Sequence, residues 1–215
     1  MKITSKEKEM REHSDNGTKD DTLMWDMLEY HIKKYNVTKV YETGTYLGGS
    51  TVNFSELVDE VWTVEWLDWL CTFSKRHFSE LSKTNIKLIH GSSADVFSQL
   101  LPLTRFEHDR VLFFLDAHGH HSPILKELAV IFANRDCAPP LIGIHDFFNP
   151  NLPDLAAGSH MVDDTQNRYR LDETLVTPAL DEGYGKGKYT FNYPTGSSLA
   201  RPGYSGPGSV LITPK

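Results

Sequence analysis

Val40-Tyr41-Glu42-Thr43-Gly44-Thr45-Tyr46-Leu47-Gly48-Gly49-Ser50-Thr51 is the stretch on which the reading of this chain turns. A short apolar run, Lys39-Val40-Tyr41, enters it as a strand. Gly44 then permits a turn that a side chain would obstruct, and Gly48 and Gly49 let backbone approach a ligand closely. Ser50 or Thr51 can cap a following helix, whose free N-terminal amides face the same crevice. Strand, glycine turn and helix start in this order are the opening unit of an open α/β sheet, and ligands collect outside the carboxyl ends of such strands.

Outward from this unit the same alternation continues. Four further apolar runs, 61–64, 86–89, 111–115 and 141–144, are separated by segments of helix length. The last two are apolar on both faces, as strands inside a parallel sheet must be. The clearest helix opens at Ser122-Pro123, a cap followed by proline at the first helical position, with Ile124, Leu125, Leu128, Ile131 and Phe132 as its apolar face. Upstream, Met24, Leu28, Ile32 and Tyr35 recur at helical spacing from a start at Asp21-Thr22. Lys33 and Lys34 suit its C-terminal dipole and Asn36 can close it. Downstream, 188–193 and 209–213 read as two strands joined by a glycine- and proline-rich loop, an antiparallel pair at the sheet edge. The expected architecture is α/β, a doubly wound and mostly parallel seven-stranded sheet with an antiparallel C-terminal pair. Residues 1–21 are a polar N-terminal arm, and 22–215 form one domain.

The second strand ends in Val64-Glu65, and Glu65 stands 21 residues beyond Gly44. That is the spacing at which an acid accepts ribose hydroxyls in a nucleotide-binding sheet, because a carboxylate takes two hydrogen bonds at once. The nicotinamide fingerprint G-x-G-x-x-G does not fit, since Thr45 and Tyr46 follow Gly44 and the next glycine is residue 48. The stretch 42–50 resembles motif I of the class I S-adenosylmethionine (SAM)-dependent methyltransferases, written E/D-x-G-x-x-x-G. Glu65 matches the acidic end of that family's second strand. His90-Gly91-Ser92-Ser93-Ala94-Asp95 is similar to its third-strand segment beside the adenine, although Ser92 stands where an acid is frequent. The resemblance covers about residues 22–150. It implies the strand order 3-2-1-4-5-7-6 and a SAM site drawn from Glu42, Thr43, Gly44, Thr45, Gly48, Ser50, Glu65, Trp66, Ser92, Ser93 and Asp116, with Trp66 on the adenine face.

The fourth strand runs into Leu115-Asp116-Ala117-His118-Gly119-His120-His121, the fifth into Ile144-His145-Asp146. Neighbouring parallel strands lie about 4.8 Å apart, so if the fourth and fifth strands are neighbours, as the resemblance implies, Asp116 and Asp146 end side by side. Two carboxylates that close repel unless one is protonated or a cation sits between them. The pattern resembles the metal-dependent O-methyltransferases, in which such acids hold a divalent cation that grips two oxygens of the acceptor. It implies Asp116, His145 and Asp146 as metal ligands, and Asp116, His118 and His145 as catalytic residues. Imidazole at His145 suits Zn or Mn better than Mg. Without a metal, His118 or His120 would serve as general base near neutral pH. The leading expectation is therefore O-methylation of a small hydroxylated acceptor. One alternative is a metal-dependent hydrolase built on Asp116, His118, His120 and Asp146. Asp116-Ala117-His118 is similar to ureohydrolase motifs, but Gly119-His120-His121 supplies none of the further aspartates. A second is a SAM-fold protein that binds without chemistry.

Composition bounds these readings. The chain has 215 residues, enough for one well-buried core, with 39% hydrophobic and 24% charged residues, a globular profile. A formal charge of −7 gives no general attraction to phosphate backbones, so nucleic acid is not the expected partner. No apolar run approaches the roughly 18 residues of a membrane span, and the charged start lacks a secretory h-region. Two cysteines, Cys71 and Cys137, are too few for a disulfide framework. Reduced thiols in a cytoplasmic protein are expected.

Overall fold

The structure is a computed structural model and describes residues 22–103, 110–117, 122–134, 139–151, 161–163, 168–194 and 208–215. In chain order it comprises α1 (Thr22–Tyr35), β1 (Lys39–Thr43), α2 (Gly49–Leu57), β2 (Glu60–Glu65), α3 (Asp68–Glu80), β3 (Ile86–His90) and α4 (Ser93–Leu100). A 3-10 turn over Leu101–Leu103 follows, then β4 (Val111–Leu115), α5 (Ile124–Ala133), β5 (Leu141–His145), β6 (Met161–Asp163), β7 (Arg168–Arg170), α6 (Glu173–Tyr184), β8 (Tyr189–Asn192) and β9 (Ser209–Pro214).

Seven strands form one sheet in the order β3-β2-β1-β4-β5-β9-β8, while β6 and β7 make a separate antiparallel hairpin. Counted within the large sheet, this is the expected order 3-2-1-4-5-7-6. The first five strands are parallel, and β9 pairs antiparallel with both β5 and β8. Thr43 is registered against Val64 on one side and Leu115 on the other. Glu65 is opposite His90, and Leu115 opposite Ile144. The five parallel strands therefore finish together along one rim.

Side-chain alternation in the strands divides the core. Val40, Leu112, Phe114 and Leu211 turn to one face, where Met24, Leu28 and Ile32 of α1 and Phe54 of α2 cover them. Tyr41, Phe113, Ile142 and Ile212 turn to the other, under Phe97 of α4, Leu128 and Ile131 of α5, and Val176 and Leu180 of α6. Every residue of β4 is buried, so this strand is apolar throughout. Each such Leu, Ile or Phe contributes roughly 1.5–3 kcal/mol by leaving water. No helix among the described residues is long and apolar enough to cross a membrane.

Three local expectations need correction. α5 begins at Ile124 with Pro123 as its N-cap, and the Ser122 hydroxyl makes no capping bond. Leu125 is exposed, and Glu127 takes its place on the inner face. Ser50 and Thr51 do not cap α2: Gly48, left-handed at φ 86°, is the N-cap, and both hydroxyls turn inward. Between β7 and β8 lies a core helix, α6, for which the sequence pattern gave no sign. Asp172 caps it by accepting the Leu175 amide, and Tyr184 at its end donates to the Pro140 carbonyl at 2.5 Å. Pro178 inside α6 had masked the helical pattern in the sequence.

Candidate active site at the carboxyl rim of the sheet

The turn after β1 is held from three sides. Gly44 and Thr45 donate their amides to the Val64 carbonyl, at 2.9 and 3.3 Å. Glu65 accepts the Tyr46 amide on one carboxylate oxygen and the Leu67 amide on the other, each at 2.8 Å. Ser74 of α3 donates to the Tyr46 carbonyl at 2.8 Å. Tyr46 itself is left-handed, at φ 49°, an uncommon state for a bulky residue. These bonds hold it there.

The two glycines of the turn serve different ends. Gly44 has φ 84°, and a Cβ on it would lie 2.5 Å from the Asp116 carbonyl oxygen. Glycine therefore lets the β1 turn and the end of β4 close on each other. A Cβ on Gly48 would meet the Phe78 ring at 2.5 Å. Glycine at 48 thus makes room for the Phe78 ring of α3.

Beneath the turn lie two buried acids. Glu42 is fully buried, and its oxygens accept the hydroxyls of Ser50, Thr51 and Thr63, the last at 2.6 Å. Thr63 also pairs with Thr45 at 2.6 Å. Burial pushes the Glu42 carboxyl up to about 7. Its hydroxyl partners pull the other way, and the Asp116 charge adds to the rise. Of the residues expected at the cofactor, Ser50 thus bonds to Glu42 and Thr45 to Thr63, which itself donates to Glu42, forming a buried support under the loop. Glu127 is the second acid. It accepts from Ser93 at the start of α4 and from Thr43, and burial lifts it to about 7, with Asp116 again adding to the rise. Ser93 and Thr43, also expected at the cofactor, are engaged by Glu127.

Sequence reasoning missed Glu127, yet a signal was present. Ile124, Glu127, Leu128 and Ile131 follow the i, i+3, i+4, i+7 pattern, which places the acid on the buried stripe. A charge there needs hydroxyl partners or a proton.

Glu65 is buried against the turn with both oxygens engaged, and each keeps a second lone pair for a further donor. Trp66, beside it, is 67% exposed, and its carbonyl lies 2.9 Å from His90 Nε2 at the end of β3. Tyr46, Leu67 and Trp69 are exposed around it. Ser92 is the N-cap of α4 and makes no capping bond through its side chain.

Across the rim, β4 and β5 bring Asp116, His145 and Asp146 together. His145 Nδ1 lies 3.1 Å from Asp116 Oδ1 and 3.3 Å from Asp146 Oδ1. One ligand atom from each of the three residues lies within 4.8 Å of the others. The Asp116 amide is fixed by the Thr43 carbonyl at 3.0 Å and the Thr43 hydroxyl at 3.2 Å. Asp146 has φ 56°, a left-handed state that Asp tolerates better than most residues and that recurs at functional sites. Two carboxylate oxygens and an imidazole nitrogen could hold a divalent cation; the carboxylates suit Mn or Mg, and the imidazole suits Zn. His118, His120 and His121 lie outside the described residues, as do Cys137 and residues 1–21. Cys71 is a free thiol that donates to the Glu65 carbonyl at 3.5 Å. Burial, with the charges of Glu65 and Asp68, raises it to about 11, which makes it a poor nucleophile.

No protein-family model matches the sequence, and no curated protein matches it in sequence. Solved structures do match in fold. An O-methyltransferase from Bacillus cereus, in complex with S-adenosylhomocysteine (SAH), aligns at TM-score 0.61 and 14% identity, over 100% of this chain and 93% of that one. A SAM-dependent methyltransferase from Aquifex aeolicus aligns at TM-score 0.52 and 13% identity, over 98% and 97%. An rRNA methylase from Streptococcus thermophilus aligns at TM-score 0.53 and 14% identity, over 87% and 94%. At such identities the likeness is one of architecture: this chain has the class I methyltransferase fold.

Proposed function

We propose that the protein is a SAM-dependent O-methyltransferase of a small hydroxylated acceptor, with a divalent cation held by Asp116, His145 and Asp146. One observation supports the reading: a Cβ on Gly44 would lie 2.5 Å from the Asp116 carbonyl oxygen, so the glycine turn after β1 and the start of the acidic cluster after β4 lie side by side at one rim of the sheet. A methyl donor seated over the turn, with its ribose at Glu65, would present its sulfonium beside Asp116. The SAH-bound Bacillus cereus structure supports that cofactor.

In the reaction the acceptor oxygen forms a bond to the methyl carbon, the S–CH₃ bond breaks, and the hydroxyl proton leaves. SAH and the methyl ether are the products. Held in the cluster, a divalent cation would acidify the acceptor hydroxyl and orient it. Asp116, fixed through its amide to Thr43, sets the position of that site. Among the described residues, a metal-free variant of the mechanism rests on His145. Its Nδ1 lies within reach of both aspartates, an arrangement that leaves Nε2 to accept the hydroxyl proton. The charge of −7 favours a small molecule over RNA as acceptor.

The test is transfer of label from methyl-tritiated SAM to pooled small phenols and polyols, run with Mn²⁺ and with EDTA. Transfer that needs the metal and is lost in Asp116→Asn supports the proposal. Transfer that EDTA does not affect selects the metal-free variant. Transfer to RNA alone contradicts the small-molecule assignment.

A further inference from the structure

Close in the chain to the acidic cluster, the ring of Phe148 carries one stacked basic side chain. The loop after β5 leaves Asp146 and reaches Phe148 two residues on, so their Cα atoms are within about 7 Å. The Phe148 amide donates to the Leu171 carbonyl at 2.8 Å, which ties the end of β7 to this loop. Leu171 is buried in the core and anchors the junction between β7 and α6. Arg170 precedes it, at the last position of β7, and is exposed. Its guanidinium carbon lies 4.5 Å from the centre of the Phe148 ring.

Stacking on Phe148 restrains the guanidinium without using its donors, since a cation over an aromatic face keeps its N–H edge free. Among the described residues Arg170 has no carboxylate partner, and its contact there is the Phe148 ring. An exposed arginine held by a ring, with no ion-pair partner among the described residues, is suited to an oxyanion brought by a ligand.

We propose that Arg170 is a specificity-determining residue and that the acceptor carries an oxyanion, carboxylate or phosphate, on the side away from its reacting hydroxyl. The inference rests on the methyltransferase reading above. Phe148 is the positioning residue that holds the guanidinium over the acceptor end of the cleft.

The test is calorimetric titration of the SAH-loaded, Mn²⁺-loaded protein with 3,4-dihydroxybenzoate, 3,4-dihydroxybenzylphosphonate and neutral 3,4-dihydroxybenzamide. At least one anion should bind about 10- to 100-fold more tightly than the amide, as expected for a hydrogen-bonded charge pair. The tighter of the two identifies the oxyanion. Arg170→Gln should abolish the preference and leave SAH affinity unchanged, whereas Arg170→Lys should keep part of it. Equal affinity for all three probes, no binding of any while SAH binds, or a preference that survives Arg170→Gln would overturn the anion subsite. Failure of SAH itself to bind would instead sink the methyltransferase reading on which it rests.

Discussion

Glu65 holds the backbone amide of Tyr46 at 2.8 Å, joining the end of the second strand to the turn after the first. The same carboxylate takes the Leu67 amide. The acid read from the sequence as a ribose acceptor is therefore also the clamp of the glycine turn. In Glu65→Ala the Tyr46 and Leu67 amides lose their partner, and each lost bond to a charged group costs about 1.5–3 kcal/mol locally. Hydrogen exchange should speed up at these two amides and stay unchanged in β4. Unchanged protection at Tyr46 would show that the clamp is not formed.

Gly44→Ala tests the junction between the turn and β4. The new Cβ would stand 2.5 Å from the Asp116 carbonyl oxygen at a φ of 84°. Backbone on both sides cannot yield cheaply, so urea unfolding should show a loss of about 2 kcal/mol or more. A loss under about 0.5 kcal/mol would mean that the two ends do not meet as described.

Glu127→Gln tests the buried acids through pH. Burial raises Glu127 from 4.5 in the unfolded chain to about 7 in the fold. The folded state thus binds this proton more tightly than the unfolded one. Its contribution to stability is complete below about 4.5 and is lost as pH rises through about 7. Wild-type Tm should carry a downward slope over this window that Glu127→Gln reduces. Parallel Tm profiles for the two proteins would contradict the buried, protonatable state.

Asp146→Asn separates backbone tolerance from charge. Asn accepts the left-handed φ of 56° as Asp does, so metal-free stability should stay within about 0.5 kcal/mol. Mn²⁺ affinity, followed by electron paramagnetic resonance, should fall at least tenfold. Unaltered Mn²⁺ binding would remove Asp146 from the ligand set.

The sequence made the five parallel strands and the C-terminal pair legible because period and burial agree there. Val111 to Leu115 is apolar on both faces and occupies the centre of the sheet. The meeting of Asp116 with Asp146 followed from the strand order that the family resemblance implied. The partners of the polar residues were not legible. Glu42, Ser50 and Thr45 look like ligand donors in a motif, yet they are bonded into one network with Thr51 and Thr63 across eight to twenty-one residues of chain. Such pairings depend on packing between α2 and β2 that no local pattern encodes. Helix α6 was hidden by Pro178. Glu127 was hidden by its charge, although its spacing placed it on the inner stripe.

The central claim is that a nucleoside of the SAM type sits over Gly44 with its sugar at Glu65. Calorimetric titration of the protein with SAH tests it most directly. The account predicts one site per chain, with affinity at least tenfold weaker in Glu65→Ala and retained in Arg170→Gln. Absence of binding to the wild-type protein, or equal affinity in Glu65→Ala, would contradict it.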